Sequence, residues 1–131
     1  MNQAPANSPR RQVAAEFLLA TIVFLVMSLF LIGPILFTGR ILLLRDLLFM
    51  HYPCQAVLAE SLRQGTLPLW TAHVGCGQPF LAEIETAVFY PPNFIVLLMD
   101  PGRATLVLAI FHLTLAGLGV YSLLRQWRAG Q

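Results

Sequence analysis

Two long apolar runs, separated by shorter apolar clusters broken by Gly and Pro, organise this chain. Residues 17–39, FLLATIVFLVMSLFLIGPILFTG, are 23 consecutive residues without a charge, dominated by Leu, Ile, Val and Phe. At about 1.5 Å per residue such a run makes about 34 Å of helix, enough to cross a hydrocarbon core of about 30 Å. Arg10 and Arg11 ahead of it raise the competing reading of a secretory signal. The run exceeds the usual signal core of about 7–15 residues and has no small-residue cleavage site after it, so an uncleaved anchor is expected. Gly33-Pro34 should kink or loosen its last turns without stopping it. The second run, 104–124, is again uncharged and about one bilayer long. Asp100-Pro101 supplies an N-cap and a first-turn proline, and Arg125, Trp127 and Arg128 form an interfacial, positive flank.

The 64 residues between the runs (40–103) are too apolar for a floppy loop. Residues 53–64 read as a short helix, with Val57, Leu58 and Leu62 on one face and Glu60 and Arg63 on the other, ended by Gly65 and barred from continuing by Pro68. Such a helix beside an anchor is expected along the membrane surface. Gly75, Gly77 and Pro79 mark tight turns, 81–88 a second short element, and Tyr90-Pro91-Pro92-Asn93 a rigid corner. The apolar stretch 94–99 is too short to span and should dip into the interface.

Composition agrees with a membrane solvent. The chain of 131 residues is 57% hydrophobic and only 11% charged, with a mean hydropathy of +0.72. A soluble domain carries about 25% charged residues, and disorder needs still more polarity. The net charge of +2 is too small and dispersed for a nucleic-acid surface. Its distribution sets an orientation. The two tails hold Arg10, Arg11, Arg125 and Arg128 against Glu16, whereas 40–103 holds four Arg and five acids, so both ends are expected inside. The expected architecture is an all-α membrane protein: a disordered cytoplasmic tail (1–13), transmembrane helix one (14–39), a structured extracytoplasmic loop with juxtamembrane helices (40–103), transmembrane helix two (104–124) and a cytoplasmic tail (125–131).

Asp46 is the first candidate for chemistry. It follows the anchor closely, between Arg45 and the apolar Leu47-Leu48-Phe49. A carboxylate there can act as a general base tuned by burial and by Arg45, or it can be an interfacial ion pair or helix cap. His51 and Tyr52 suit a phosphate or a sugar, and are equally ordinary interface residues. Glu83 and Glu85 would share one face of a strand and, with Asp46, could form a divalent-metal or acid/base site; the alternative is a solvated loop face. His73, Cys54 and Cys76 lack zinc spacing, and a Cys54–Cys76 disulfide stays open. Trp70 is an interfacial anchor or a stacking platform for a sugar. His112, in the second run, is a proton-handling or ligand group, or a neutral imidazole bonded to another helix. The small residues Thr105, Ala109, Ala116, Gly117 and Gly119 there favour close helix approach.

The order of these pieces, Arg45-Asp46, Tyr52-Pro53, Gly65-Thr66-Leu67-Pro68-Leu69-Trp70, Gly75-Cys76-Gly77-Gln78-Pro79 and Phe89-Tyr90-Pro91-Pro92-Asn93 before a second span, resembles the start of YfhO-like bacterial membrane proteins. These are similar to the GT-C superfamily of glycosyltransferases, and the likeness covers about two-thirds of the chain, residues 45–125. It departs at Thr71, where the family tends to carry Asn. The resemblance implies transfer of a sugar from a polyprenyl-phosphate donor at the outer face of the bacterial cytoplasmic membrane. Asp46 takes the place of the catalytic acidic residue, as base or metal ligand, and Glu83 that of a second one; a divalent metal (Mg or Mn) held by the two, or basic residues, would steady the departing lipid phosphate. Arg45, His51, Tyr52, Trp70, Gln78 and Glu85 are the implied substrate-binding residues. Such enzymes have several more spans, so the remaining transmembrane helices of a longer protein, or a partner subunit, are expected to complete the site, and two spans alone are expected to be inactive. The other reading is a non-catalytic two-span accessory or assembly protein.

Overall fold

The computed structural model describes residues 9–42, 44–73 and 76–129. Helix α1 covers Pro9–Phe37, α2 Tyr52–Arg63 and α3 Pro101–Ala129, with one π-helical turn at Leu47–His51 and 3-10 turns at Phe80–Ala82, Ile84–Thr86 and Pro91–Leu97. No β-strand occurs among the described residues. Two compact units emerge: Met1–Pro34 with Ala109–Gln131, and Ile35–Leu108.

In the first unit α1 and α3 pair antiparallel. Contacts run from Glu16 with Arg125 (2.7 Å) and Phe17 with Tyr121 (5.3 Å between ring centroids) to the Ser28 and Thr114 hydroxyls, 3.4 Å apart. Each hydroxyl donates to the carbonyl four residues back in its own helix, a way of carrying polar side chains without an unmet hydrogen bond. Gly117 lies where any side chain would overlap the Phe24 ring, so it sets the close approach expected of small residues. Both helices are long and apolar enough to cross a membrane, and only 17% and 22% of their most apolar stretches are buried. The core helix of a soluble protein would be mostly covered; here Phe30 is 84% exposed. His112 is exposed on α3.

The helix boundaries differ from the expected ones. α1 takes in residues 9–13, expected as part of a disordered tail, because Pro9 suits a first helical position and Arg10, Arg11 and Gln12 are good helix formers; residues 1–8 lie outside the described residues. It passes through Pro34 to Phe37 and is followed by Gly39 in the left-handed region (φ +69°). α3 starts at Pro101, where the Arg103 amide donates to the Asp100 carboxylate (3.0 Å), and it continues through the positive flank to Ala129.

The second unit is built around α2. Cys54, Leu58 and Ala59 on its inner face pack with Phe80, Val88, Val96 and Ala104. The helix closes as expected at Gly65 (φ +69°): the Thr66 amide donates to the Ser61 carbonyl and the Gly65 amide to the Leu62 carbonyl, the reciprocal pair that satisfies a helix end. Its apolar face is therefore covered by protein, where the sequence suggested a membrane surface. The stretch 94–99 is divided: Val96 is fully buried and its carbonyl accepts from the Arg63 guanidinium (3.1 Å), whereas Phe94, Leu97 and Leu98 remain exposed. A 3-10 pair replaces the expected element at 81–88, so Glu83 and Glu85 do not share a strand face; Ala87 in the left-handed region (φ 46°) ends it. Thr71 and Gln78 exchange both backbone hydrogen bonds (3.0 and 2.9 Å) and close a small loop. Gly75 in that loop lies outside the described residues.

Candidate functional site

The π-turn precedes α2 directly; Asp46, just before it, and Leu47, Met50, His51 and Cys54 within the two elements line one side. These residues and Glu85 line a cleft of about 410 Å³ in the second unit. Glu85 comes from the second 3-10 turn, 39 positions beyond Asp46, so the fold joins two segments that are remote in sequence. The wider π-turn is a feature enriched at functional sites, and no local residue pattern announces it.

His51 is fixed by α3. Its Nε2 lies 3.2 Å from the Thr105 hydroxyl oxygen, and that hydroxyl donates its own hydrogen to the Pro101 carbonyl (2.8 Å). Thr105 is thus left to accept, which places the imidazole hydrogen on Nε2 and the basic lone pair on Nδ1. Burial pushes the His51 pKa below its ordinary value, and the nearby Glu85 charge opposes that shift. The imidazole is therefore neutral at pH 7. A depressed histidine pKa means that the unfolded chain binds the proton more readily than the fold. Stability should then fall as pH drops from about 6.5 toward the lowered value, and level off below it. Thermal unfolding in detergent at about pH 7.5 and about pH 5.5 checks this; His51→Gln should flatten the difference, and an equally steep profile in that variant would contradict it.

Asp46 and Arg45 are exposed, and the Asp46 side chain makes no helix-capping bond. The carboxylate is available at the cleft. Tyr52 is spent on structure: its hydroxyl donates to the Leu42 carbonyl (3.0 Å), and burial raises its pKa. Cys54 is 4% exposed, and burial, with Glu85 and Glu83 behind it, raises its thiol pKa, so it stays protonated and inert. Both cysteines are free thiols. Glu83 does not line the Asp46 cleft; its carbonyl accepts from the Thr86 hydroxyl (2.7 Å). Gln78 serves the Thr71 bridge, and Trp70 belongs to a separate cleft.

Among the described residues no three His, Cys, Asp or Glu side chains gather closely enough to hold a metal ion. The pair Asp46 and Glu83 expected to do so is not brought together in this cleft; Glu85 takes the second carboxylate's place. The two carboxylates at the cleft, Asp46 and Glu85, are a set that would hold Mg²⁺ only together with waters and substrate phosphate oxygens. Sequence reasoning missed Met50 and Cys54 as cleft walls and Thr105 as the partner of His51. Thr105 could have been found only by knowing that the first turn of α3 meets the π-turn.

A neutral imidazole and two carboxylates beside one cleft can accept a proton from a hydroxyl and orient it. Comparison with protein-family models, with curated proteins and with solved structures finds no match.

Proposed function

We propose that α1 and α3 anchor this chain in a bacterial cytoplasmic membrane with both ends inside, and that the unit of residues 35–108 forms, on the outer side, part of the active site of a glycosyltransferase using a polyprenyl-phosphate sugar. The observation that carries the reading is the cleft joining Asp46 and His51 to Glu85. Asp46 takes the proton of the acceptor hydroxyl as its oxygen bonds to the anomeric carbon. The bond from that carbon to the phosphate oxygen breaks, and the polyprenyl phosphate leaves with the electron pair. His51, held by Thr105, orients the acceptor, while exposed Arg45 offers a positive charge to the lipid phosphate. Further transmembrane helices enclose the donor.

The experiment is transfer of a radiolabelled sugar from polyprenyl phosphate in membranes containing the protein with its natural partners. Transfer above that of membranes lacking it is expected. No difference, together with co-purification of one multi-span partner, would leave the accessory reading instead. The topology has its own check, since Cys76 is exposed and Cys54 buried. A membrane-impermeant maleimide should label Cys76 in intact cells; labelling only after permeabilisation inverts the orientation and removes the proposal.

A further inference from the structure

The outward face of α2 forms a second cleft, of about 600 Å³, which shares no residue with the first. One wall is a helical stripe of Pro53, Ala56, Val57, Glu60 and Ser61; the other is the segment from Trp70 to His73. Its size falls within the range of about 300–1,000 Å³ usual for ligand clefts.

Trp70 is 61% exposed, a large aromatic surface held in place. Behind it, a Cβ at Gly77 would lie 2.9 Å from the indole Cζ2 and 3.1 Å from Nε1, and Gly77 itself has φ +110°. Only glycine meets both conditions, so residue 77 lets the indole pack down beside the Thr71–Gln78 bridge. Across the cleft the Glu60 carboxylate is oriented by the Gln64 side-chain amide. The lining offers hydroxyl, imidazole and carboxylate groups and no Lys or Arg. An anion would meet the Glu60 charge with no cation beside it, whereas a neutral polyol finds both donors and acceptors.

We propose that this cleft is a carbohydrate-binding subsite: the axial C–H face of a pyranose stacks on the Trp70 indole, and Glu60, Ser61 and His73 hydrogen-bond its hydroxyls. It extends the sugar-transfer reading, and its test uses neither the donor lipid nor Asp46, so either can fail alone.

The chain has two tryptophans, and Trp127→Phe leaves Trp70 as the only fluorophore. The full chain with that change is titrated in detergent with cellotetraose and with chitotetraose, up to about 50 mM. A saturable change in Trp70 emission is expected with at least one glycan. Glu60→Gln should weaken its affinity about tenfold, and so should Gly77→Ala, which displaces the indole without deleting it. No saturable response to either glycan overturns the proposal. So does a response unchanged in both variants. Quenching of Trp70 by brominated lipid in vesicles without any glycan response would make it a membrane anchor and likewise overturn the subsite.

Discussion

Leu58→Ala is expected to cost the second unit about 2–5 kcal/mol, a large part of the about 5–15 kcal/mol that typically holds a domain folded. Leu58 is fully buried at the centre of α2 and packs in the cluster that joins it to Phe80, Val88, Val96 and Ala104. Truncation removes both the transfer energy of its methyl groups and their contacts, because three separate segments converge there and cannot all close the gap. Cys54, one turn earlier on the same face, reports the loss directly. Its thiol reacts only when the unit opens, so maleimide labelling in detergent should accelerate between about thirtyfold and a few thousandfold. Cys76, already exposed, serves as the internal reference within the same molecule. Unchanged labelling of Cys54 would mean that α2 is not the centre of this unit.

The helical elements were legible in the sequence where one local rule decides them. Uncharged runs longer than a bilayer's width, Asp100 before Pro101, and Gly65 after Arg63 each act within a few residues, and each stands where the pattern puts it. Less legible was the partner of each apolar face. Val57, Leu58 and Leu62 look the same whether lipid or protein covers them, and protein is what the fold supplies: Val96, from a stretch that reads as interfacial, closes over α2. The candidate site divides in the same way. Asp46 and His51 are five positions apart and easily suspected together, but the choice between Glu83 and Glu85 rests on 3-10 turns ended by a left-handed Ala87, where alternation along a strand would have kept both. Trp70, expected to share one binding set with Asp46, lines the cleft on the other side of α2, and Gln78 lines neither cleft but pairs its backbone with Thr71.

That placement gives the sugar-transfer reading its sharpest consequence. Asp46→Asn preserves size and removes the only negative charge on the stretch that leads into α2, where Arg45 and His51 are its charged or titratable neighbours. Loss of a general base lowers turnover about 10²–10⁴-fold, so transfer in membranes should fall to the level of membranes lacking the protein. The fold should not notice: Asp46 is exposed and its side chain caps no helix end, so Cys76 labelling from outside and the protection of Cys54 should both match the unaltered chain. Glu85→Gln, across the same cleft, should slow transfer by a smaller factor and shift its pH profile, since it withdraws the charge that opposes the depression of the His51 pKa. Glu83→Gln, away from the cleft, should do least. If Glu83→Gln were as damaging as Asp46→Asn, the two would act as a pair, as the family resemblance implied, and the grouping drawn from this fold would be wrong. If Asp46→Asn kept full activity, the proton would have to go elsewhere, to the Glu85 carboxylate or to His51 Nδ1, whose lone pair the Thr105 contact leaves open.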